Sequence, residues 1–127
     1  MKKMGKKRTK TLDIRPLSEC PPDVEVVFEF NNERWQPAHD GYRPHHLVNE
    51  TYLTTGVHHY YDVTQVPPGG RAKGTITFLL PEAYPASLWI GKKMNIQEGS
   101  RIVGHATITK IFNPVLRKVI GDATMEQ

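Results

Sequence analysis

The segment that decides the fold is IQEGSRIVGHATITKI, which runs from Ile96 to Ile111. A polar turn containing Gly99 leads into a stretch in which four alternate positions share one face: Ile102, Gly104, Ala106 and Ile108. Alternation of this kind predicts a strand with one face directed into a core. Two of the four inward positions have little or no side chain. Small inward residues are expected where the strands of a small barrel crowd or bend.

Two further segments show the same alternation. VEVVFEF (Val24–Phe30) has valine or phenylalanine at every second position, with Glu25 and Glu29 between them. It predicts a half-buried strand whose two glutamates share a solvated face. RAKGTITFLLP (Arg71–Pro81) alternates small and apolar residues with polar ones, and its inward positions are Ala72, Gly74, Ile76, Phe78 and Leu80.

Turn residues divide the rest of the chain. Extended chain is predicted for HHLVNETYL (His45–Leu53) and for VHHYYDVTQV (Val57–Val66), with a turn at Gly56 between them. PPGG (Pro67–Gly70) predicts a tight turn. A proline-bounded loop, a short LWIGKKMNIQ segment and the EGSR turn then lead into the last strand, which Pro114 ends.

Six strands without intervening helices predict an all-β fold. With so few strands, closure into a six-stranded antiparallel Greek-key β-barrel removes the exposed edges most economically. We divide the chain into a basic N-terminal arm and proline-bounded connector (1–22), the barrel domain (23–113) and a C-terminal extension (114–127), in which VLRKVIG is compatible with one or two helical turns.

The basic character of the sequence is concentrated at its N-terminus. Residues 1–10 hold six of the 17 Lys and Arg residues and no acid, whereas residues 11–127 carry 11 basic and 13 acidic side chains, a net charge of −2. Two interpretations of this arm stay open: RNA phosphate binding through counterion release, or a solvated tail that aids solubility. The arm residues considered for RNA binding are Lys2, Lys3, Lys6, Lys7 and Arg8.

Several classes of function lack their sequence motifs. There is no G-x-x-x-x-G-K-[ST] phosphate loop and no G-x-S-x-G nucleophile motif. Cys20 is the single cysteine, so no internal disulfide is expected. No apolar run approaches the roughly 18 residues of a membrane span, and no apolar segment follows the basic arm as in a secretory signal. We therefore expect a cytoplasmic protein without enzyme activity, cofactor, GTP binding or membrane contact.

The six histidines raise the question of a metal site. Adjacent histidines on a strand point to opposite faces, so neither pair supplies two ligands easily. His45 with His58, or His46 with His59, could meet across neighbouring strands and begin a two-ligand site. We favour surface or rim histidines and expect no metal. The tyrosines and tryptophans are interpreted mainly as core or rim residues, with base stacking as the alternative.

Three motifs in order resemble a known domain. GYRP (Gly41–Pro44), PPGG followed by GTITFLLP, and IQEGSRIVGHATITKIF (Ile96–Phe112) are similar to motifs of the C-terminal, third domain of elongation factor Tu. That family has G-[YF]-R-P, a P-G-[DN] turn and a final I-R-E-G-x-R-T-V-G-x-G-x-V segment. The resemblance covers about residues 24–113 and implies a stand-alone six-stranded barrel without the GTPase domain.

The resemblance also implies candidate binding residues. In the family this domain contacts the T stem of aminoacyl-tRNA, the GTPase domain and the nucleotide-exchange factor. Arg43 matches a residue that helps to hold the tRNA backbone, and Glu98 and Gly99 match a turn that lies against the T stem. Arg101 follows that turn. Gln97 stands where the family has an arginine, which predicts weaker tRNA binding by the barrel alone.

Two functions remain open at this point. The first is a non-catalytic, translation-related module that binds tRNA or another structured RNA through Arg43, Glu98, Gly99, Arg101 and the arm. The second is a protein-interaction module that presents a surface similar to the third domain to a translation factor, an exchange factor or another partner of elongation factor Tu. Arg43 itself has an alternative role, as an ion-pair partner that fixes its loop to the barrel.

Overall fold

The computed structural model describes residues 17–118, so the basic arm and the end of the C-terminal extension lie outside the described residues. The strands are β1 (Val24–Phe30), β2 (Ala38–His39), β3 (His45–Leu47), β4 (Leu53–Tyr60), β5 (Gln65–Val66), β6 (Arg71–Phe78), β7 (Lys93–Glu98) and β8 (Arg101–Ile111). Single 3-10 turns occur at Leu17–Glu19, Pro81–Ala83 and Pro114–Leu116. None of these helical turns has the length and apolar character that crossing a membrane requires.

Six of the strands form a closed antiparallel barrel, as predicted. Their order around the barrel is β1-β6-β4-β3-β7-β8, and β8 pairs with β1 to close it. Strands β3, β4 and β6 pair as successive neighbours. Strand β1, which precedes them in the chain, pairs with the other edge of β6, and this order is a Greek-key arrangement. The remaining strands, β2 and β5, pair with each other as a separate two-stranded ribbon.

Alternate residues of the strands fill the barrel interior. On β1, Val24, Val26 and Phe28 are fully buried, as the alternation predicted. The Phe28 ring meets the Tyr60 ring edge-on, with 5.1 Å between centroids and 89° between the ring planes, a geometry that aromatic pairs favour. Burial of each such apolar side chain stabilises the fold by about 1.5–3 kcal/mol.

Glycine occurs where neighbouring strands approach most closely, as the small inward residues predicted. A Cβ atom added at Gly74 would lie 1.9 Å from the carbonyl oxygen of His59, and one added at Gly104 would lie 2.5 Å from the carbonyl oxygen of Glu29. Non-bonded carbon atoms prefer separations of about 3.5–4.0 Å. Both positions therefore require a residue without a side chain.

The predicted turn at Gly56 is wrong, because β4 runs through this residue and pairs there with β6. The turn lies instead between β3 and β4, at Asn49. The Asn49 Oδ1 atom accepts hydrogen bonds from the backbone N–H groups of Thr51 and Tyr52, at 3.0 and 2.9 Å. An asparagine side chain that satisfies two backbone donors stabilises a turn without glycine.

Two positions predicted to face inward are exposed. A register shift between Ile96 and Gln97 in the β7–β8 pairing buries Val103, whereas the Ile102 side chain is 40% exposed. Strand β6 ends two residues before Leu80, which has a left-handed backbone with a φ of 56° and an exposed side chain. The alternation in the sequence does not show where a register shifts or a strand stops.

Antiparallel strands place their connections at two ends of the barrel. We call one the arginine end; it comprises residues 31–44, 61–70 and 99–100, with the strand termini that flank them. We call the opposite one the lysine end; it comprises residues 17–23, 48–52, 79–92 and 112–118. The predicted RNA-binding motifs, GYRP and the EGSR turn, both lie at the arginine end.

Candidate functional site

A cluster of charged and aromatic side chains surrounds Glu98 at the arginine end. Arg34 Nη1 forms an ion pair with Glu98 Oε2, and the Tyr42 hydroxyl donates to the same oxygen at 2.6 Å. Arg101 Nη2 donates to Glu98 Oε1 at 2.7 Å. Both carboxylate oxygens are thus occupied by donors from three different segments of the chain.

The backbone of the β7–β8 hairpin fixes this cluster. Glu98 ends β7 and pairs with Arg101 at the start of β8, so both side chains arise from one tight turn. Gly99 occupies the turn with a φ of 63°, a left-handed conformation that glycine adopts without steric cost. The Gln97 side-chain amide donates to the Gly99 carbonyl oxygen at 3.0 Å and closes the turn.

The turn before β2 positions Arg34. Its Nη2 and Nε atoms donate to the carbonyl oxygens of Pro37 and Gln36 at 3.1 and 3.3 Å. The guanidinium carbon lies 4.6 Å from the centroid of the Tyr42 ring, within the range of a cation–π contact. Arg34 is therefore held by backbone, ring and carboxylate together.

The electrostatics of the cluster favour the ionised carboxylate. Burial of Glu98 raises its pKa, but hydrogen bonds from Tyr42 and Arg34 outweigh burial, and the pKa lies below its ordinary value. Burial and the neighbouring Glu98 raise the pKa of Tyr42 above its ordinary value, so the phenol stays protonated and donates. Two guanidiniums share one carboxylate, and the trio of Arg34, Glu98 and Arg101 carries a net charge of +1.

Arg43 lies at the same end but outside this cluster. Its side chain is exposed, and within residues 17–118 it forms no ion pair. The ion-pair alternative for Arg43 is therefore not supported by the described part of the chain. His45 of β3 pairs with Gln97 of the antiparallel β7. Arg43 precedes His45 by two residues and Gly99 follows Gln97 by two, so both lie beyond the same end of this strand pair.

The structure thus brings Arg43, Glu98, Gly99 and Arg101 to one end of the barrel. Their predicted RNA contacts stay predictions, and the arm residues Lys2, Lys3, Lys6, Lys7 and Arg8 lie outside the described residues. Sequence reasoning missed Arg34. Trp35, for which base stacking was the alternative to a core or rim position, is 84% exposed. The available signal was Arg34 next to Trp35 in the polar NNERW connection, since arginine and tryptophan are each enriched at interfaces.

The glutamates of β1 do not share a solvated face, contrary to the prediction for that strand. Glu25 is buried at the barrel wall, where Thr109 and Tyr61 hydroxyls donate to it at 2.7 and 2.9 Å. The Thr109 hydrogen bond in particular holds the pKa of Glu25 below its ordinary value. Glu29 forms a looser, exposed ion pair with Arg71 at 3.6 Å.

Two histidines are buried inside the barrel, so the prediction of surface or rim positions was wrong for His46 and His58. Their Nε2 atoms lie 2.8 Å apart, and His58 Nδ1 lies 2.9 Å from the Tyr60 hydroxyl. Burial lowers the pKa of His46 to about 3 and that of His58 well below its ordinary value. Within residues 17–118 no three metal-ligating side chains are grouped, and the pair forms a neutral polar link.

The lysine end carries an apolar surface of a different character. Five large apolar side chains there are 36–59% exposed: Leu79, Leu80, Ile90, Phe112 and Val115. Leu80 and Phe112 also line a groove of about 660 Å³, together with Leu17 and four prolines. Clustered exposed apolar side chains are typical of protein-docking surfaces.

No protein-family model matches the sequence. The likeness to the third domain of elongation factor Tu therefore rests on the three motifs alone.

Proposed function

We propose that the chain is a non-catalytic binding module that binds structured RNA, with tRNA as the first candidate, at its arginine end. The observation that carries this proposal is a local group of arginines at that end, which as a whole also carries the acidic residues Glu33, Asp40 and Asp62. Arg34 and Arg101 converge on the carboxylate of Glu98, and Arg43 adds a third guanidinium at the same end that has no ion-pair partner among residues 17–118. The motifs similar to elongation factor Tu favour tRNA over other structured RNAs.

The cluster around Glu98 would act by holding its arginines ready. The Arg101 side chain is 50% exposed, so it can meet a phosphate while it keeps its bond to Glu98. An arginine already fixed in place loses less conformational entropy on binding than a free one. In this proposal Glu98 is a positioning residue, because a carboxylate would repel a phosphate.

Two further features of the arginine end suit a nucleic acid. The turn at Gly99 is open, since no atom lies within 4 Å of the place where a Cβ would project. A sugar–phosphate backbone could therefore approach the peptide closely. Trp35 presents a mostly exposed indole at the same end, and an unpaired base can stack on such a ring.

The test is the salt dependence of tRNA affinity, measured by fluorescence anisotropy with the full chain and with Arg43→Ala. Loss of one phosphate contact should weaken binding and reduce the slope of log affinity against log salt by about 1. Arg71→Ala is the matched control, because Arg71 is also exposed but is paired with Glu29 at 3.6 Å. Equal effects of both substitutions would argue against a specific role for Arg43.

The contribution of the basic arm is separated by a second variant of the full chain, in which glutamine replaces Lys2, Lys3, Lys6, Lys7 and Arg8. We expect weaker binding that still depends on Arg43. If the arm variant binds no tRNA even at low salt, the barrel is not an RNA-binding surface and the proposal fails.

A second candidate function is protein docking at the lysine end, favoured by the exposed Leu79, Leu80, Phe112 and Val115. The partner suggested by the resemblance is a protein that binds elongation factor Tu, such as its nucleotide-exchange factor. Purified exchange factor should bind after nuclease treatment, with little dependence on salt. Leu80→Asp should abolish that binding, whereas Arg43→Ala should leave it unchanged.

A further inference from the structure

A second groove at the lysine end contains one tryptophan and three lysines. It is an open groove of about 510 Å³, and its charged lining residues are Lys92, Lys93, Lys118 and Glu50. These side chains give the groove a net charge of +2. We call it the Trp89–lysine groove. It lies at the opposite end of the barrel from Arg43.

Lys92 is held in this groove by neutral groups. Its Nζ atom donates to the carbonyl oxygens of Val48 and Ser87, the second at 3.0 Å. The same atom lies 4.4 Å from the centroid of the Trp89 ring. Carbonyl dipoles and an aromatic face fix the ammonium in place without cancelling its charge. Burial and the nearby charge of Lys118 lower the pKa of Lys92.

Lys118 brings a second ammonium to the same indole. Its Nζ atom lies 5.2 Å from the Trp89 ring centroid, and its backbone N–H is anchored to the Leu88 carbonyl oxygen at 2.8 Å. Within residues 17–118, neither lysine forms an ion pair with a carboxylate. Two like charges around one ring repel each other, and a bound anion would remove that cost.

We infer that the Trp89–lysine groove is a binding site for a phosphate monoester. The dianionic phosphate of such a ligand matches the net charge of +2 of the lining side chains. The volume falls within the range of small-molecule sites, about 300–1,000 Å³, and leaves room for the organic part of the ester. The amides of Asn49 and Asn95 line the same groove and can meet hydroxyl groups.

The monoester is favoured over an RNA backbone by charge and shape. Each phosphodiester carries one negative charge, and a strand is bound by cations spaced along a track. Here the cations line a single concave site together with one acid. This site is independent of the RNA proposal, because its residues lie at the other end of the barrel from Arg43, Glu98 and Arg101.

The experiment uses Trp89 as its own probe. The chain has two tryptophans, so Trp35→Phe, at an exposed position, leaves Trp89 as the single indole of the full-length protein. Glucose 6-phosphate should change the fluorescence of Trp89 until the site is saturated. Inorganic phosphate should bind more weakly, and glucose should leave the fluorescence unchanged. Absence of a saturable change with glucose 6-phosphate would overturn the inference.

Substitutions locate the binding in the groove. Lys118→Gln should weaken glucose 6-phosphate binding about tenfold, the effect of losing a hydrogen bond to a charged group. Lys110→Gln, which removes an exposed lysine from the barrel wall, should leave it unchanged. Lys92→Met, with its fold checked by circular dichroism, should weaken binding at least as much as Lys118→Gln.

Two outcomes of the substitutions would also count against the site. Equal losses from Lys118→Gln and Lys110→Gln would show general charge attraction without a site. If a short single-stranded RNA displaces glucose 6-phosphate and binds more tightly in a Lys118-dependent way, the groove is part of an RNA surface and the monoester assignment is wrong.

Discussion

The Nε2 atoms of His46 and His58 lie 2.8 Å apart, inside a barrel where neither side chain reaches solvent. One imidazole must donate to the other, so a neutral pair satisfies the bond with a single proton between the rings. Gly56 provides the space for this pair, because a Cβ added there would lie 3.1 Å from the His46 ring. The barrel therefore contains a polar link between β3 and β4, and burial favours the neutral form of both rings.

We expect the free energy of unfolding to fall steeply between pH 7 and pH 5. Both histidines have depressed pKa values when folded, so below about pH 6.5 only the unfolded chain takes up their protons and stability is lost. Protonation of each histidine in the unfolded chain should lower the free energy of unfolding by about 2 kcal/mol over this range. Urea denaturation across the pH series measures it. Replacement of the pair by His46→Leu with His58→Phe should flatten the profile, whereas His39→Gln at an exposed position should not.

Two glycine substitutions should separate crowding from backbone strain. Gly74→Ala forces a Cβ to 1.9 Å from the His59 carbonyl oxygen, and we expect a loss of about 3 kcal/mol or more, or failure to fold. Gly99→Ala meets no neighbour but has a φ of 63°, which should cost about 1 kcal/mol. Thermal denaturation compares the two. A smaller loss at Gly74 than at Gly99 would contradict the close strand approach.

Glu98→Gln should destabilise the arginine end and weaken RNA binding. The change removes the ion pairs with Arg34 and Arg101, and we expect the free energy of unfolding to fall by about 1–3 kcal/mol. Affinity for tRNA should fall modestly, because Arg34 and Arg101 are no longer held in place and lose more conformational entropy on binding. Glu33→Gln removes an exposed acid from the same end and should leave stability unchanged. Unchanged or higher tRNA affinity in Glu98→Gln would contradict the positioning role of Glu98.

Leu80→Gly should make the protein more stable and a poorer protein binder. Leu80 is exposed and has a φ of 56°, a conformation that costs a non-glycine residue about 1–2 kcal/mol. Glycine relieves that strain but loses the apolar contact, so denaturation temperature should rise while exchange-factor binding falls. Leu80→Ala is the control, because it shortens the side chain and keeps the strain. A stabilised Leu80→Gly variant with unchanged binding would exclude Leu80 from the docking surface.

The barrel could be predicted from the sequence because its strands follow the period-two rule closely. Val24, Val26 and Phe28 face inward as predicted, and Gly74 and Gly104 lie where strands crowd. The errors at Ile102 and Leu80 have a common cause. The register shift and the end of β6 before the left-handed Leu80 leave no mark in local alternation. The turn at Asn49 is local, and its asparagine was a signal that the extended alternation outweighed.

The candidate site was predicted less completely than the fold. The motifs brought Arg43, Glu98, Gly99 and Arg101 into consideration, and the structure places them at one end. In the structure Glu98 also contacts Arg34 and Tyr42, which come from distant segments of the chain. No residue spacing in the sequence predicts such pairs. The His46–His58 link was missed for a similar reason, since the cross-strand register that joins them is a tertiary property.

The pairing of β1 with β8 has a consequence for synthesis of the protein. One edge of β1 (Val24–Phe30) stays unpaired until β8 (Arg101–Ile111) has been synthesised, because β8 is the strand that pairs with that edge. Until the ribosome has released that last strand, β1 and β7 each expose unpaired N–H and C=O groups that can recruit another nascent chain. Premature stop codons before β8 should therefore yield aggregates, and folding of the barrel during translation should finish only after β8 has left the ribosome.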